Sequence, residues 1–318
     1  MKTPETIESV VRAGLCHGCG TCAAACPAGA IDIVKDERKG IYIASVDSDR
    51  CTRCGICVTV CPGHEVDFDA LNREIFGGQA ADYRLGVYRA CYTGHAADAD
   101  RRFLGASGGA VTALLLHALE SGVIDGALVS RLKRDGSLEP ETFVARTPDD
   151  IISTATSLYC PVPANAALGR LLETPGRYAV VGLPCHLHGL RKLEKLNRVP
   201  AGRIVLTIGI FCGYTYGFLA TDYLLRRLGI SRRDAAAVRY RGEGWPGVAS
   251  VTLKDGSRRD LPVSDMYSEM ELAFAPWRCL LCPDHTAELA DISCGDAWLP
   301  RLAEDTAGSS MILTRSPA

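Results

Sequence analysis

Eight of the chain's cysteines fall into two copies of one spacing, Cys16-x-x-Cys19-x-x-Cys22-x-x-x-Cys26-Pro27 and Cys51-x-x-Cys54-x-x-Cys57-x-x-x-Cys61-Pro62. Two intervening residues let a short loop curl so that three thiolates cap three corners of one cubane iron–sulfur cluster. The fourth cysteine comes too late to join that loop and is expected to open a helix that points it at the other cube. The spacing therefore predicts one cluster on Cys16, Cys19, Cys22 and Cys61, and a second on Cys51, Cys54, Cys57 and Cys26. Pro27 and Pro62 release the chain from each loop. A zinc site or a disulfide scaffold is the alternative, but zinc takes four ligands in pairs, and a doubled frame of eight is an odd way to build either.

Seven cysteines remain: Cys91, Cys160, Cys185, Cys212, Cys279, Cys282 and Cys294. Cys185 follows an apolar run and a proline (Val180-Val181-Gly182-Leu183-Pro184), and Cys212 ends the next apolar run (Ile210-Phe211). If those runs are neighbouring strands, both sulfurs share one sheet edge, and Cys279-x-x-Cys282 supplies two more on a single turn. Four such thiolates could hold a third cluster. A zinc site, a redox dithiol at Cys279 and Cys282, and a nucleophilic Cys185 beside His186 stay open at this level.

Three further stretches could bind a ligand. Ser107-Gly108-Gly109 stands at the mouth of a helix, where free N–H groups favour a phosphate, although a plain serine N-cap reads the same way. The loop Arg241-Gly242-Glu243-Gly244-Trp245-Pro246-Gly247 could face a planar group with its tryptophan or only turn the chain. Asp291 and Asp296 could hold a polar ligand or only cap local turns.

The elements that must position these groups divide in two. Residues 1–75 read as a module like the bacterial two-cluster ferredoxins, each half a cluster loop followed by a short helix and a strand, with residues 30–34 and 40–44 as the strands. Residues 76–84 read as a linker, and residues 82–318 as an alternation of strands and helices, a mixed α/β sheet covered by helices. Strands are expected at 84–90, 126–130, 178–182 and 203–211, and a hairpin at 248–253 and 258–263. Helices are expected at 107–121, closed by Gly122, from Thr147-Pro148 onward, and at 187–196. The fold class is thus a ferredoxin module followed by a mixed-sheet α/β domain.

Composition narrows the function. A formal charge of -2 over 318 residues leaves no electrostatic footprint for nucleic acid. The first fourteen residues lack the apolar core of a secretory signal, and the longest apolar runs are strand-sized, so no transmembrane segment is expected. Fifteen cysteines without a signal point to metal in a reducing compartment, and hence to the cytoplasm.

From about Leu85 onward the chain resembles the beta subunits of coenzyme F420-reducing hydrogenase and F420-dependent formate dehydrogenase. The resemblance rests on Ser107-Gly108-Gly109-Ala110-Val111-Thr112-Ala113-Leu114, Gly182-Leu183-Pro184-Cys185-His186, Gly209-Ile210-Phe211-Cys212, Gly242-Glu243-Gly244-Trp245-Pro246-Gly247, and the closing blocks at 279–284 and 288–296. It implies an oxidoreductase with FAD and a cubane cluster in this domain, making the second domain a flavin-binding one. Carried over, the cluster ligands are Cys185, Cys212, Cys279 and Cys282, and Ser107, Gly108, Gly109 and Thr112 become candidates for FAD contact. Cys294 is not cysteine in those relatives. It further implies a hydride-carrying coenzyme, F420 first, and a redox partner subunit, with FAD standing between two-electron and one-electron chemistry. The alternatives are an electron-transfer subunit without deazaflavin activity, or a reductase of another substrate such as a chlorophyll-type tetrapyrrole. Two departures stand out: Ser157-Leu158-Tyr159 lacks the lysine that relatives often carry there, and the chain stops at Ala318, where relatives usually continue.

Overall fold

The computed structural model describes residues 6–80 and 82–316. The first five residues of the expected ferredoxin module, Ala81 of the expected linker, and the last two residues lie outside that range.

Short turns of helix follow each cysteine loop, at Thr21–Ala25 and Ile56–Thr59. Gly20 and Gly55, both at positive φ, let each loop swing into its helix. The fourth cysteine of each motif closes its helix instead of opening one: Cys26 is the C-cap of Thr21–Ala25, and Cys61 follows Val60, the C-cap of Ile56–Thr59. The two expected strands, β1 (Ile31–Asp36) and β2 (Ile41–Val46), pair with each other as an antiparallel hairpin. The second half continues into the helix Phe68–Phe76. Ile7, Val10, Ile31 and Ala44 pack with the buried Cys22, Cys57 and Cys61 into this module's own small core.

The rest is built on a seven-stranded mixed sheet in the order β3-β12-β11-β7-β6-β4-β5. Its members are β3 (Ala90–Gly94), β4 (Gly126–Leu132), β5 (Pro140–Ala145), β6 (Tyr178–Gly182), β7 (Ile204–Ile210), β11 (Ile292–Asp296) and β12 (Ser310–Thr314). The central four, β11, β7, β6 and β4, are mutually parallel, and the edge pairings are antiparallel. A second sheet, β8 (Ala235–Arg239), β9 (Val248–Leu253) and β10 (Arg258–Pro262), is a three-stranded antiparallel ribbon packed on Phe218–Arg227 and Val263–Met270.

Most expected elements fall within one to three residues of those observed. The strand expected at 84–90 does not form there; residues 82–88 turn, with a single bridge between Asp82 and Gly86, and β3 begins at Ala90. The turn is stabilised by Asp82, whose carboxylate accepts from Arg84 N at 2.7 Å. Thr147 caps Pro148–Ile152 in a capping box with Asp150, as the Thr-Pro pair implied.

The two halves are welded together. Thr21, fully buried, accepts a hydrogen bond from Asn165 Nδ2 at 2.8 Å, and Asn165 N donates to Cys19 O at 2.9 Å. The same Asn165 amide donates to His186 O at 2.7 Å. Gly189 lies in the middle of helix Pro184–Lys195 because the helix passes so close to Thr21: a Cβ there would lie 2.1 Å from Thr21 Oγ1. Phe218 N donates to Gly40 O at 2.6 Å, anchoring the β1–β2 turn as well. Gly189→Val is therefore expected to lower stability by about 2 kcal/mol or more through overpacking. Gly169→Ala, with open space around it, should be neutral or stabilising by up to about 1 kcal/mol, the helix-propensity gain. Paired thermal unfolding curves check both.

Candidate functional site

The parallel strands end along one edge of the sheet, where an open α/β sheet usually binds its ligand. A cleft of about 940 Å³ lies there, lined by Ser130 from β4, Gly182 at the end of β6, Ile210 at the end of β7, and Asp296 at the end of β11. That volume is at the upper end of small-molecule and cofactor sites.

The helix Ala110–Glu120 opens onto this cleft. Its N-cap is Gly109, not Ser107, and no side chain caps it, so its first N–H groups face the cleft wall formed by Gly109 and Ala110. Ser107, Gly109 and Thr112 line the cleft; Gly108 does not. Gly108 turns the chain at φ +75, and a Cβ there would meet Gly308 O at 2.7 Å, so it serves close packing of two loops. The Ser107 hydroxyl is buried without a hydrogen-bond partner, and so is that of Thr215, which lines the same cleft. Leaving such a group unmet costs about 1–3 kcal/mol. Water or polar atoms of a ligand entering the cleft can meet both.

The floor carries one buried ion pair. Arg241, 1% exposed, clamps Asp296 in a bidentate pair at 2.6 and 2.7 Å, and its Nε donates to Pro246 O at 2.9 Å. Trp245 Nε1 donates to Asp296 at 2.9 Å and its ring packs 4.3 Å from Trp298. Trp245 thus holds Asp296 in place, while Trp298, 58% exposed, is the indole on the cleft. Asp291 is structural: its carboxylate accepts from Thr207 N at 2.8 Å and from Thr207 Oγ1 at 2.6 Å, with Arg191 at 3.4 Å. Tyr159 and Tyr267, also on the cleft lining beside Leu158, share a hydroxyl–hydroxyl contact.

Cys185, Cys212, Cys279 and Cys282 come together between this cleft and the ferredoxin module. The last three all act electrostatically on Cys185, and so does Cys19 of the first loop. Cys212 lines the cleft. Shielding from water, then mutual repulsion, pushes the Cys185 and Cys212 thiols well up. An activated nucleophile needs the opposite shift. His186 offers no base either, since its Nδ1 accepts from Leu183 N at 3.1 Å and its Nε2 is engaged with Val162 O at 2.9 Å. Burial moves its pKa down to about 4. The nucleophile reading therefore fails on geometry. Among the described residues no three His, Cys, Asp or Glu side chains converge as a single metal ion would need. Thiolates on one zinc stand about 3.8 Å apart, given a Zn–S bond of about 2.3 Å; a cubane spaces them more widely.

In the ferredoxin module Cys61 lines the same small cavity as Cys16, Cys19 and Cys22, so the second motif's last cysteine does reach the first loop. Cys57 lies next to Cys54 and Cys51 and also bears on Cys22. Lys192 Nζ donates to Cys61 O at 3.0 Å and Glu65 O at 2.6 Å, bringing a cation to this loop. Cys54 is exposed, whereas Cys19, Cys22, Cys57 and Cys61 are buried. Of the remaining cysteines Cys91 is exposed on β3, Cys160 is buried beside Tyr240, and Cys294 lines the cleft from β11.

Comparison with known proteins now bears on this arrangement. Residues 176–318 match the model for the C terminus of the coenzyme F420 hydrogenase/dehydrogenase beta subunit, and residues 91–169 match that for its N-terminal part. The chain belongs to this family. It is an oxidoreductase related to the beta subunits of coenzyme F420 hydrogenases and dehydrogenases, with a 4Fe–4S dicluster domain at residues 15–64. One component of the F420H2 dehydrogenase of Methanosarcina mazei is 28% identical over 93% of this chain and 80% of its own length. The coenzyme F420 hydrogenase beta subunit of Methanothermobacter thermautotrophicus is 28% identical over 72% of this chain and 81% of its own. A coenzyme F420-dependent sulfite reductase of Methanocaldococcus jannaschii is 29% identical over 92% of this chain but 44% of its own length. A chain of the F420-reducing NiFe hydrogenase complex of Methanosarcina barkeri shares the fold, with a TM-score of 0.58 at 24% identity, covering 75% of this chain and 78% of that one.

This family member has one more buried polar group behind its cysteine cluster. His188 Nε2 lies 2.7 Å from Asp284 Oδ2, and Asp284 also accepts from Thr286 N and Glu288 N. The sequence offered no signal for Glu288 beyond its acidity. It is buried against Asp284, Asn72, Arg315 and Asp69, and burial first, then the Asp284 charge, moves its carboxyl pKa up from 4.5 to about 7. The protonated acid is the form the folded protein prefers. Its contribution to stability is thus present in full below about pH 4.5 and lost as pH rises through about 7. Glu288→Gln should flatten that slope, checked by denaturant midpoints at pH 5 and pH 7.5. An unchanged slope would remove Glu288 as its source.

Proposed function

We propose that the chain is an iron–sulfur flavoprotein that passes electrons between a hydride carrier, coenzyme F420 first, FAD, and three 4Fe–4S clusters leading to a partner subunit. The observation that carries this reading is the position of Cys185 and Cys212. They stand at the ends of β6 and β7, with Cys19 on one side and the cleft on the other. On this reading Cys16, Cys19, Cys22 and Cys61 hold the first cluster, and Cys26, Cys51, Cys54 and Cys57 the second. Cys185, Cys212, Cys279 and Cys282 hold the third. The neighbour relations Cys57 to Cys22 and Cys19 to Cys185 support the order second, first, third, cleft. The chain's end for a partner is then the second cluster, where Cys54 is exposed.

FAD, when bound, supplies the exchange between a two-electron hydride carrier and one-electron clusters. The cleft fits it: the helix start at Gly109 and Ala110 offers N–H groups to phosphates, and the unmet hydroxyls of Ser107 and Thr215 offer two more donors. Gly108 contributes by keeping the turn tight. Trp298, Tyr159 and Tyr267 provide apolar walls that exclude water and orient a planar ring. A hydride carrier then enters from the open side.

Relatives named for F420 support that coenzyme as the carrier, and the same relatives are subunits, which supports a partner enzyme. No helix among the described residues is long and apolar enough to cross a membrane, and the wealth of reduced cysteines fits the cytoplasm. Leu158 favours a second reading. It lines the cleft where a cation would attract the anionic tails of F420, so a reductase of another planar substrate, or an electron-transfer subunit without deazaflavin activity, is the runner-up.

Purified anaerobically, the full chain should bind about twelve irons, three cubes of four, and Cys212→Ser about eight, with the ferredoxin signals intact. Eight irons in the unaltered protein would sink the third cluster. Ser107→Ala should leave apo stability unchanged or slightly raised, because its hydroxyl has no partner to lose. It should also weaken FAD binding severalfold by fluorescence titration. Reduced F420, mixed anaerobically with the FAD-loaded protein, should bleach the flavin absorbance. If a reduced nicotinamide bleaches it and reduced F420 does not, the carrier assignment is wrong while the flavin reading stands.

A further inference from the structure

Arg278 stands directly before Cys279 on the short helix Trp277–Leu280. Its Nη2 donates to Pro62 O at 3.0 Å, the residue that follows Cys61. The guanidinium therefore bridges the third cysteine set and the first loop. Its charge also favours the ionised forms of both Cys279 and Cys282. Among the described residues no carboxylate pairs with it. Across the junction it faces His17. His17 lies between Cys16 and Gly18 and lines the cavity formed by Cys16, Cys19, Cys22 and Cys61. Its ring is buried, and neither nitrogen has a side-chain or main-chain partner beyond the residue itself.

We propose that Arg278 and His17 set the reduction potentials of the first and third clusters together, Arg278 by a permanent charge shared between them and His17 by a ring N–H given to the first. This rests on the three-cluster reading above. Each electron that enters a cluster adds one negative charge, so a fixed cation between two clusters favours the reduced form of both. An N–H directed at a cluster sulfur acts in the same sense on that cluster alone. Arginine holds its charge at every accessible pH, so the effect is constant. The second cluster lies beyond the first and receives little of it.

The test is a redox titration of the full chain followed by electron paramagnetic resonance. Cys212→Ser and Cys54→Ser assign the signals of the third and second clusters. Arg278→Gln is expected to lower the midpoint potentials of the first and third clusters together and to leave the second unmoved. Arg278→Lys, which keeps the charge, should stay close to the unaltered protein. His17→Leu should lower the first cluster alone. Twelve irons in Arg278→Gln with first and third potentials unmoved, or a fall of equal size at the second cluster, overturns the inference. If Arg278→Gln does not assemble its third cluster, His17→Leu decides: a fall confined to the first cluster supports the inference, and no change overturns it. About eight irons in the unaltered protein would instead overturn the three-cluster reading, and the Arg278 assignment with it.

Discussion

The contact of Thr21 with Gly189 and Asn165 is the constraint on which the rest depends. It places the first cysteine loop against the start of a helix whose second residue is Cys185. A methyl group at 189 would separate them, and a tether of ordinary linker length would let the two halves drift. Electrons move only between centres held close, so the function proposed for this chain needs a joint without slack. The joint is built from groups that cannot yield: a helix glycine, a fully buried threonine, and an asparagine whose main chain and side chain both bind across it. The turn at Gly40 against Phe218 pins the far end of the module. Two separated anchors fix orientation as well as distance.

Crowding cysteines at this joint has an electrostatic cost, visible in the upward displacement of every thiol shielded there. Burial stabilises the neutral thiol, and neighbouring sulfurs add to it. Only a group bearing positive charge can draw the protons off, which is what iron does as a ligand's Lewis acid. The chain helps with Lys192 at Cys61 and Arg278 at Cys282, each fixed by hydrogen bonds to main-chain carbonyls. The His188–Asp284 pair, by contrast, adds a carboxylate behind Cys212. The cation and the anion thus both act on the third cysteine set, with opposite signs.

How much of this was legible follows from the range of each signal. The doubled cysteine spacing is local and rigid, and the alternation of apolar runs with helical periods marks β6, β7 and the helix at 110 within a few residues. Cys185 and Cys212 share an edge because consecutive parallel strands end on the same side, which the chain order alone implies. What stayed hidden depends on partners far apart in the sequence. Trp245 looked like the cleft aromatic, yet Asp296, 51 positions on, claims its indole N–H and leaves that place to Trp298. Asp291 looked like a ligand group and is spent on Thr207, 84 positions away. The strand expected at 84–90 was lost to a local competitor, the Asp82 side chain, which gives the main chain a turn to make instead. Gly108 looked like a phosphate glycine and proves to be a packing glycine against Gly308.

The cleft itself is short of free charge. Its one guanidinium, Arg241, is saturated by Asp296 and a carbonyl, His186 is held neutral by burial and by bonds at both ring nitrogens, and position 158 is leucine. A phosphate bound here would meet neutral donors: the N–H groups at the start of helix Ala110–Glu120 and the hydroxyls of Ser107, Thr112 and Thr215. Such donors recognise phosphate by direction more than by charge, because each N–H or O–H must point at an oxygen in a site poor in water. That suits a cofactor seated for many turnovers. A carrier that visits and leaves gains most from a cation at the mouth, to draw in anionic tails. The cleft lining supplies the first kind of recognition and, at Leu158, gives up the second. On the function proposed here, a substrate exchanging hydride in this cleft would be selected by its ring, against Trp298, Tyr159 and Tyr267, more than by its tail.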